Sequence, residues 1–186
     1  MVFFDPTKGP TERARKQKKQ LAPRRFTTLD GVRVGLLSNS KINADTILLA
    51  IGDLLAASYK LKSLVHERKQ NFSMPAPDPI VDLIVSRSVV ILAGIGDCGS
   101  CCAASVSDGT IFEERGLQAV ALITDSFHNT ARSMARVRGF PDYRYAAVSN
   151  PIGSLGAEGI KQRARQALPQ VLEILGITDI RGLEER

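Results

Sequence analysis

A chain of 186 residues, 44% hydrophobic and 24% charged, is long enough to bury one ordinary core without disulfide or metal staples. No apolar run approaches the ~20 residues of a membrane-spanning helix and no apolar h-region marks a secretory signal, so both classes are set aside. The formal charge of +6 is unevenly placed: residues 1–25 hold eight Lys or Arg against Asp5 and Glu12, while the remaining 17 basic and 17 acidic residues cancel.

That basic segment reads as a solvated extension over residues 1–28, helical from Thr11 to Gln20 and stopped before Pro23, followed by a single domain over 29–186. It could touch an acidic partner, but charge blocks usually stay solvated, so nucleic acid is not expected as a partner. Three clustered cysteines without spaced pairs suit a reducing, cytoplasmic setting.

Along the domain, the Asp30-Gly31 turn opens a first strand over Val32–Leu37. Asn43 is a suitable N-cap for a helix over Ala44–Tyr59 that places Ile47, Ile51, Leu54 and Leu55 on one face. Leu61–His66 reads as the second strand, ending in His66, and the Pro-, Ser- and Asn-rich stretch Glu67–Pro79 as a loop. A short helix over Pro79–Arg87 leads to a third strand at Val89–Ala93, and a helix stopped by Gly116 follows the glycine-rich turn after it. Ala119–Thr124 is a fourth strand, with Ser126 capping the next helix through about Arg138. Tyr145–Ser149 is a fifth strand, and a final amphipathic helix covers Ala157–Leu175, where Pro169 is a potential kink.

Strands alternating with helices imply a three-layer, doubly wound α/β fold with a parallel sheet. The simplest topology is the flavodoxin-like order 2-1-3-4-5, in which ligands bind beyond the C-terminal ends of strands one and three. The segments expected there are Asn39-Ser40-Lys41 and Gly94–Cys102.

The second of these holds all three cysteines. Cys98-Gly99-Ser100-Cys101 is a Cys-x-x-Cys pair opening a helix, where converging N–H groups and the helix dipole favour a thiolate. That spacing lets Cys98 attack a substrate while Cys101 resolves the mixed disulfide. Asp97 is a candidate base or an anchor of the turn, and His128, just after strand four, is the better acid/base histidine. Lys41, Arg68 and Lys69 on rim loops could bind a substrate carboxylate. With Asn39, Ser40, Gly96, Gly99, Ser100 and Asn150 they complete the candidate binding residues. Cys102 reads as a helix residue facing the sheet.

The run Gly94-Ile95-Gly96-Asp97-Cys98-Gly99-Ser100-Cys101 resembles the signature of the UGSC-motif (seleno)protein family, whose tetrad can begin with selenocysteine. Gly35–Asp45 is similar to that family's first-strand motif, and Asp108 with Glu113–Leu117 to its segment after the tetrad. The resemblance spans roughly residues 29–175. It implies that Cys98 stands at the selenium position with Cys101 as its partner and, more distantly, a likeness to selenoprotein subunits of glycine reductase-type enzymes. Cys102, in place of a small residue, and Asn150-Pro151, in place of His-Pro, depart from the pattern.

The expected function is therefore a thiol-dependent enzyme, an oxidoreductase or lyase, acting on a small electrophilic or disulfide substrate. It needs no cofactor, and a thiol reductant, a partner subunit or a second copy of the chain are its compatible partners. Two alternatives stand beside it. One is a metal-dependent hydratase or lyase with Cys98, Cys101 and Cys102 as ligands. The other is a non-enzymatic subunit that binds an acidic partner through the basic tail.

Overall fold

The computed structural model describes residues 18–181. Five strands form one parallel sheet in the order β2-β1-β3-β4-β5. They are β1 (Arg33–Ser38), β2 (Ser63–Arg68), β3 (Val90–Gly96), β4 (Gln118–Thr124) and β5 (Tyr145–Val148). The connecting helices are α1 (Ala44–Ser58), α2 (Asp78–Arg87), α3 (Gly99–Glu114), α4 (His128–Val137) and, after β5, α5 (Ala157–Leu175). Every residue of β3 and β4 is buried, as expected of central strands covered on both faces.

Alternation along the strands sorts the core into two layers. Val34, Leu36, Val90, Leu92, Val120 and Leu122 pack with Ile47, Ile51 and Leu55 of α1 and Ile160, Ala164 and Leu168 of α5. Leu37, Ile91, Ala93 and Ala119 meet α2 and Phe112 of α3, while Ala121 and Ile123 meet Cys102 and Val106 of α3 and Ala131 of α4. The fold is thus the flavodoxin-like α/β sandwich anticipated from the pattern of elements.

Local details differ from the sequence expectations. β3 runs on through the glycines to Gly96, held by β1 as far as Gly94 and by β4 to its end. Its register against β4 slips between Gly94 and Gly96, which pair with Leu122 and Ile123. The extra residue, Ile95, therefore faces the α1/α5 layer, where strict alternation would have sent it to the other side. Asn43 does occupy the N-cap position of α1, but in a left-handed conformation (φ 65°) and without a side-chain cap. Ser126 lies in a 3₁₀ turn over Asp125–Phe127 and caps nothing; α4 begins after Phe127. His66 is the fourth of six residues of β2 rather than its end. Pro169 sits inside an unbroken α5 on its exposed side, where water can satisfy the carbonyl that loses its donor.

Residues 18–28, assigned from sequence to the extension, lie against the domain. The Lys19 N–H donates to Gly139 O at 2.8 Å, the Ala22 N–H to Glu113 Oε2 at 2.6 Å, and Arg24 Nη1 to Glu113 Oε1 at 2.9 Å. Glu113 is buried, and its carboxylate also accepts the Ala119 N–H at 3.0 Å, so the strap supplies donors that a buried charge requires. The expected helix over 11–20 falls largely outside the described residues. Among those described, no helix is long and apolar enough to cross a membrane.

Candidate active site

The site is built at the C-terminal edge of the sheet, where β3 hands over to α3. A Cβ on Gly96 would come within 2.8 Å of both Cys102 Cα and Ile123 Cγ2, so only glycine lets α3 start this close to the strand. Cys98 is the N-cap of α3, in extended backbone (φ −156°), and its sulfur accepts the Cys101 N–H at 3.3 Å. Its carbonyl accepts the Cys102 N–H at 2.8 Å, the first bond of the helix. Cys98 and Cys101 are joined as a disulfide. Cys101 is fully buried, Cys98 is half-buried, and Gly99 and Ser100 between them are exposed. One sulfur of the pair therefore faces outward and the other inward. When the pair is reduced, the Cys101 N–H and the helix dipole both favour negative charge on Cys98.

Two loops fix this turn from either side. From β1, the buried Asn39 donates through Nδ2 to Ile95 O (2.8 Å) and Ser105 Oγ (3.2 Å), and its N–H reaches Gly94 O (2.8 Å). Asn39 thus brackets the end of β3 to the second turn of α3. On the other side, Asp97 Oδ1 accepts from Asn150 Nδ2 and the Ile152 N–H, each at 3.1 Å, and Oδ2 from the Gly153 N–H at 3.0 Å. Asn150 Nδ2 also donates to Thr124 Oγ1 at 3.0 Å, whose hydroxyl in turn reaches Gly96 O at 3.2 Å. Asp97 and Asn150 are therefore anchors of the loop after β5.

Asn43, read from sequence only as a helix cap, holds the same loop by its carbonyls. Its Nδ2 lies 2.9 Å from Ile152 O, 3.0 Å from Leu155 O and 3.4 Å from Gly153 O. Asp97 takes the loop's N–H groups and Asn43 its C=O groups. Partners more than a hundred residues apart in sequence leave no local signal, which is why this role was missed.

The cationic rim divides in two. Lys41 stays at the surface with its ammonium 4.9 Å from the centroid of Phe72. Arg68 is exposed and donates to Ser40 Oγ at 3.2 Å, with Asp45 Oδ2 at 3.5 Å; Ser40 itself donates to Lys69 O. Lys69 is a correction to the sequence reading. Only 1% exposed, it forms a buried ion pair with Asp108 of α3 and donates to Met74 O at 2.6 Å, so it cannot reach a substrate on the rim. Asp108 also accepts the Ala76 N–H at 2.7 Å, and burial raises its carboxyl above the ordinary range despite the ammonium beside it.

Neither histidine is placed against the cysteine pair by any described contact. His128 Nδ1 is 3.1 Å from the Tyr145 hydroxyl, and His66 Nε2 is 3.0 Å from Asp45 Oδ1. Cys102 turns into the core with its sulfur 3.6 Å from Phe127 O, and burial pushes its thiol up to about 12. The three sulfurs therefore do not converge as the metal alternative requires. Among the described residues no group of three or more His, Cys, Asp or Glu is arranged to hold a metal ion.

A parallel five-stranded α/β domain with a Cys-x-x-Cys pair capping the helix after its central strand defines the class. Within it, the chain matches the UGSC family over residues 2–177 and belongs to that family. The match starts at residue 2, so the basic N-terminal segment, expected to lie outside the family's bounds, falls within them. No curated protein and no solved structure matches the chain.

Proposed function

We propose that the protein is a thiol-dependent enzyme that works through the Cys98–Cys101 pair. The observation carrying this reading is the pair's asymmetry: a half-buried, helix-capping Cys98 bonded to a fully buried Cys101. Starting from the dithiol, the Cys98 thiolate attacks one sulfur of a disulfide substrate. The substrate S–S bond breaks, one thiolate leaves and takes up a proton, and a mixed disulfide forms on Cys98. The Cys101 thiolate then attacks Cys98 Sγ, expelling the second thiol and closing the Cys98–Cys101 bond. Two electrons pass to the substrate, and a thiol reductant returns them to the enzyme. With a carbon electrophile the Cys98 thiolate displaces the leaving group and forms a C–S bond. Cys101 then attacks Cys98 Sγ, the C–S bond breaks with its electron pair on carbon, that carbon takes a proton, and the net reaction is reductive cleavage of the carbon–leaving-group bond. The three-residue spacing holds the Cys101 thiol beside Cys98 Sγ, which favours resolution within the chain, and the burial of Cys101 leaves Cys98 Sγ as the sulfur that substrate and reductant meet.

The test is alkylation of the reduced protein against pH, resolved by peptide mass spectrometry. Cys98 should react first, with an apparent pKa well below the ~8.5 of a free thiol. Cys101→Ser should trap a mixed disulfide with a model disulfide, and Cys98→Ser should form none. Slow alkylation of Cys98 at an ordinary thiol pKa, or turnover surviving in both variants, would sink the proposal.

A further inference from the structure

Two clefts of about 400 and 340 Å³ lie at the opposite end of the sheet from the cysteine pair, beside the start of β5. They adjoin, since Asp142 and Tyr143 line both. Lys18 and Lys19 line the first, and Arg132, Arg136 and Arg144 the second, with Asp142 the one acidic side chain among them. Lys18 pairs with Asp142, Lys19 with Glu114 and Arg144 with Glu173. Arg132 and Arg136 have no carboxylate partner among the described residues. They stand one helical turn apart on α4, a like-charge spacing that costs a helix a few tenths of a kcal/mol unless an anion offsets it. Lys18 and Lys19 belong to residues 1–25, the segment that supplies the chain's whole positive excess.

We infer that this face binds the phosphate backbone of duplex nucleic acid, independently of the thiol site. Phosphates at regular spacing suit cations distributed over two adjoining clefts better than a single small anion does. The rings present are committed elsewhere. Phe140 and Tyr143 are buried, with the Tyr143 hydroxyl on Ala119 O, and Tyr145 is engaged with His128. Among the described residues lining the clefts no ring is free to stack on unpaired bases, so contact is to the backbone and blind to sequence.

The experiment is fluorescence anisotropy of the full chain with a short labelled DNA duplex over a salt series. Binding should weaken with salt, with a log–log slope of about −0.9 for each phosphate contact. Arg132→Gln/Arg136→Gln should reduce that slope by roughly 1.8 for two lost contacts, for all duplex sequences alike. Both arginines are exposed, and unchanged alkylation of Cys98 in the double variant shows that the fold is retained. Four results overturn the inference: no binding at low salt, a double variant that binds like the wild type, displacement by an equal concentration of mononucleotide, or tighter binding to phosphatidylserine vesicles than to DNA. None of them bears on the thiol chemistry.

Discussion

Lys69→Met removes the ammonium from the buried pair with Asp108 and replaces it with an apolar chain of similar reach. Both partners are 1% exposed, so water cannot take the ammonium's place. Asp108 keeps only the Ala76 N–H, and Met74 O loses its donor. Leaving one charge of a buried pair uncompensated costs about 3–5 kcal/mol, a large part of the ~5–15 kcal/mol that holds a domain folded. With a urea m-value of about 2 kcal/mol/M, the midpoint should fall by roughly 1.5–2.5 M. The pH dependence carries a sign. The folded carboxyl of Asp108 is raised above its unfolded value by burial, and losing Lys69 raises it further. A raised carboxyl contributes stability that is full below the unfolded pKa of ~3.9 and is lost as pH rises through the folded pKa, at about 1.4 kcal/mol per unit between them. The deficit of Lys69→Met should therefore be small near pH 4 and largest at neutral pH. Adding Asp108→Asn, which keeps an acceptor for the Ala76 N–H, should recover most of it. A loss under about 1 kcal/mol, or a deficit flat with pH, would refute the reasoning. Because the pair ties the β2–α2 loop to α3, partial unfolding there should also release Cys101 to alkylation in the reduced protein.

Two other outcomes follow from the packing. A Cβ on Gly109 would overlap the Tyr143 hydroxyl, which donates to Ala119 O at 3.2 Å, so Gly109→Ala should destabilise by about 1–3 kcal/mol despite alanine's better helix propensity; thermal unfolding reads this, and adding Tyr143→Phe should restore part of it. The Cys102 thiol, pushed up to about 12 by burial, should resist alkylation at pH 8 until the protein unfolds; the stability tied to its neutral form is complete below about pH 8.5 and declines as pH climbs towards 12, seen as a falling urea midpoint.

The fold was legible because its signals are local and repeated. Buried strands read as short runs of Val, Ile, Leu and Ala, and α5 was bounded at both ends because its apolar period and its Gly156 and Gly176 flanks are written in adjacent residues. The position of the cysteine pair was legible for the same reason, since a strand, two glycines and a helix start together define the corner at Cys98. Charged and polar side chains were harder to place. Lys69 and Lys41 look alike as loop lysines, yet one is buried on Asp108 and the other stays at the surface over Phe72.

From the sequence alone came the alternation that builds a parallel sheet, its strand order, and the placing of Cys98 and Cys101 at a helix N-terminus beyond the central strand. Tertiary structure decided what the surrounding polar side chains do: Asn43 and Asp97 gripping the two edges of the 152–155 loop, and Asn39 bracketing β3 to α3. The physical reason is the range of the interaction. Hydrophobic period and backbone propensity act over a few residues and survive averaging along the chain. A hydrogen bond or buried ion pair depends on one specific partner, and which partner arrives is settled only when the sheet brings distant loops to a common edge.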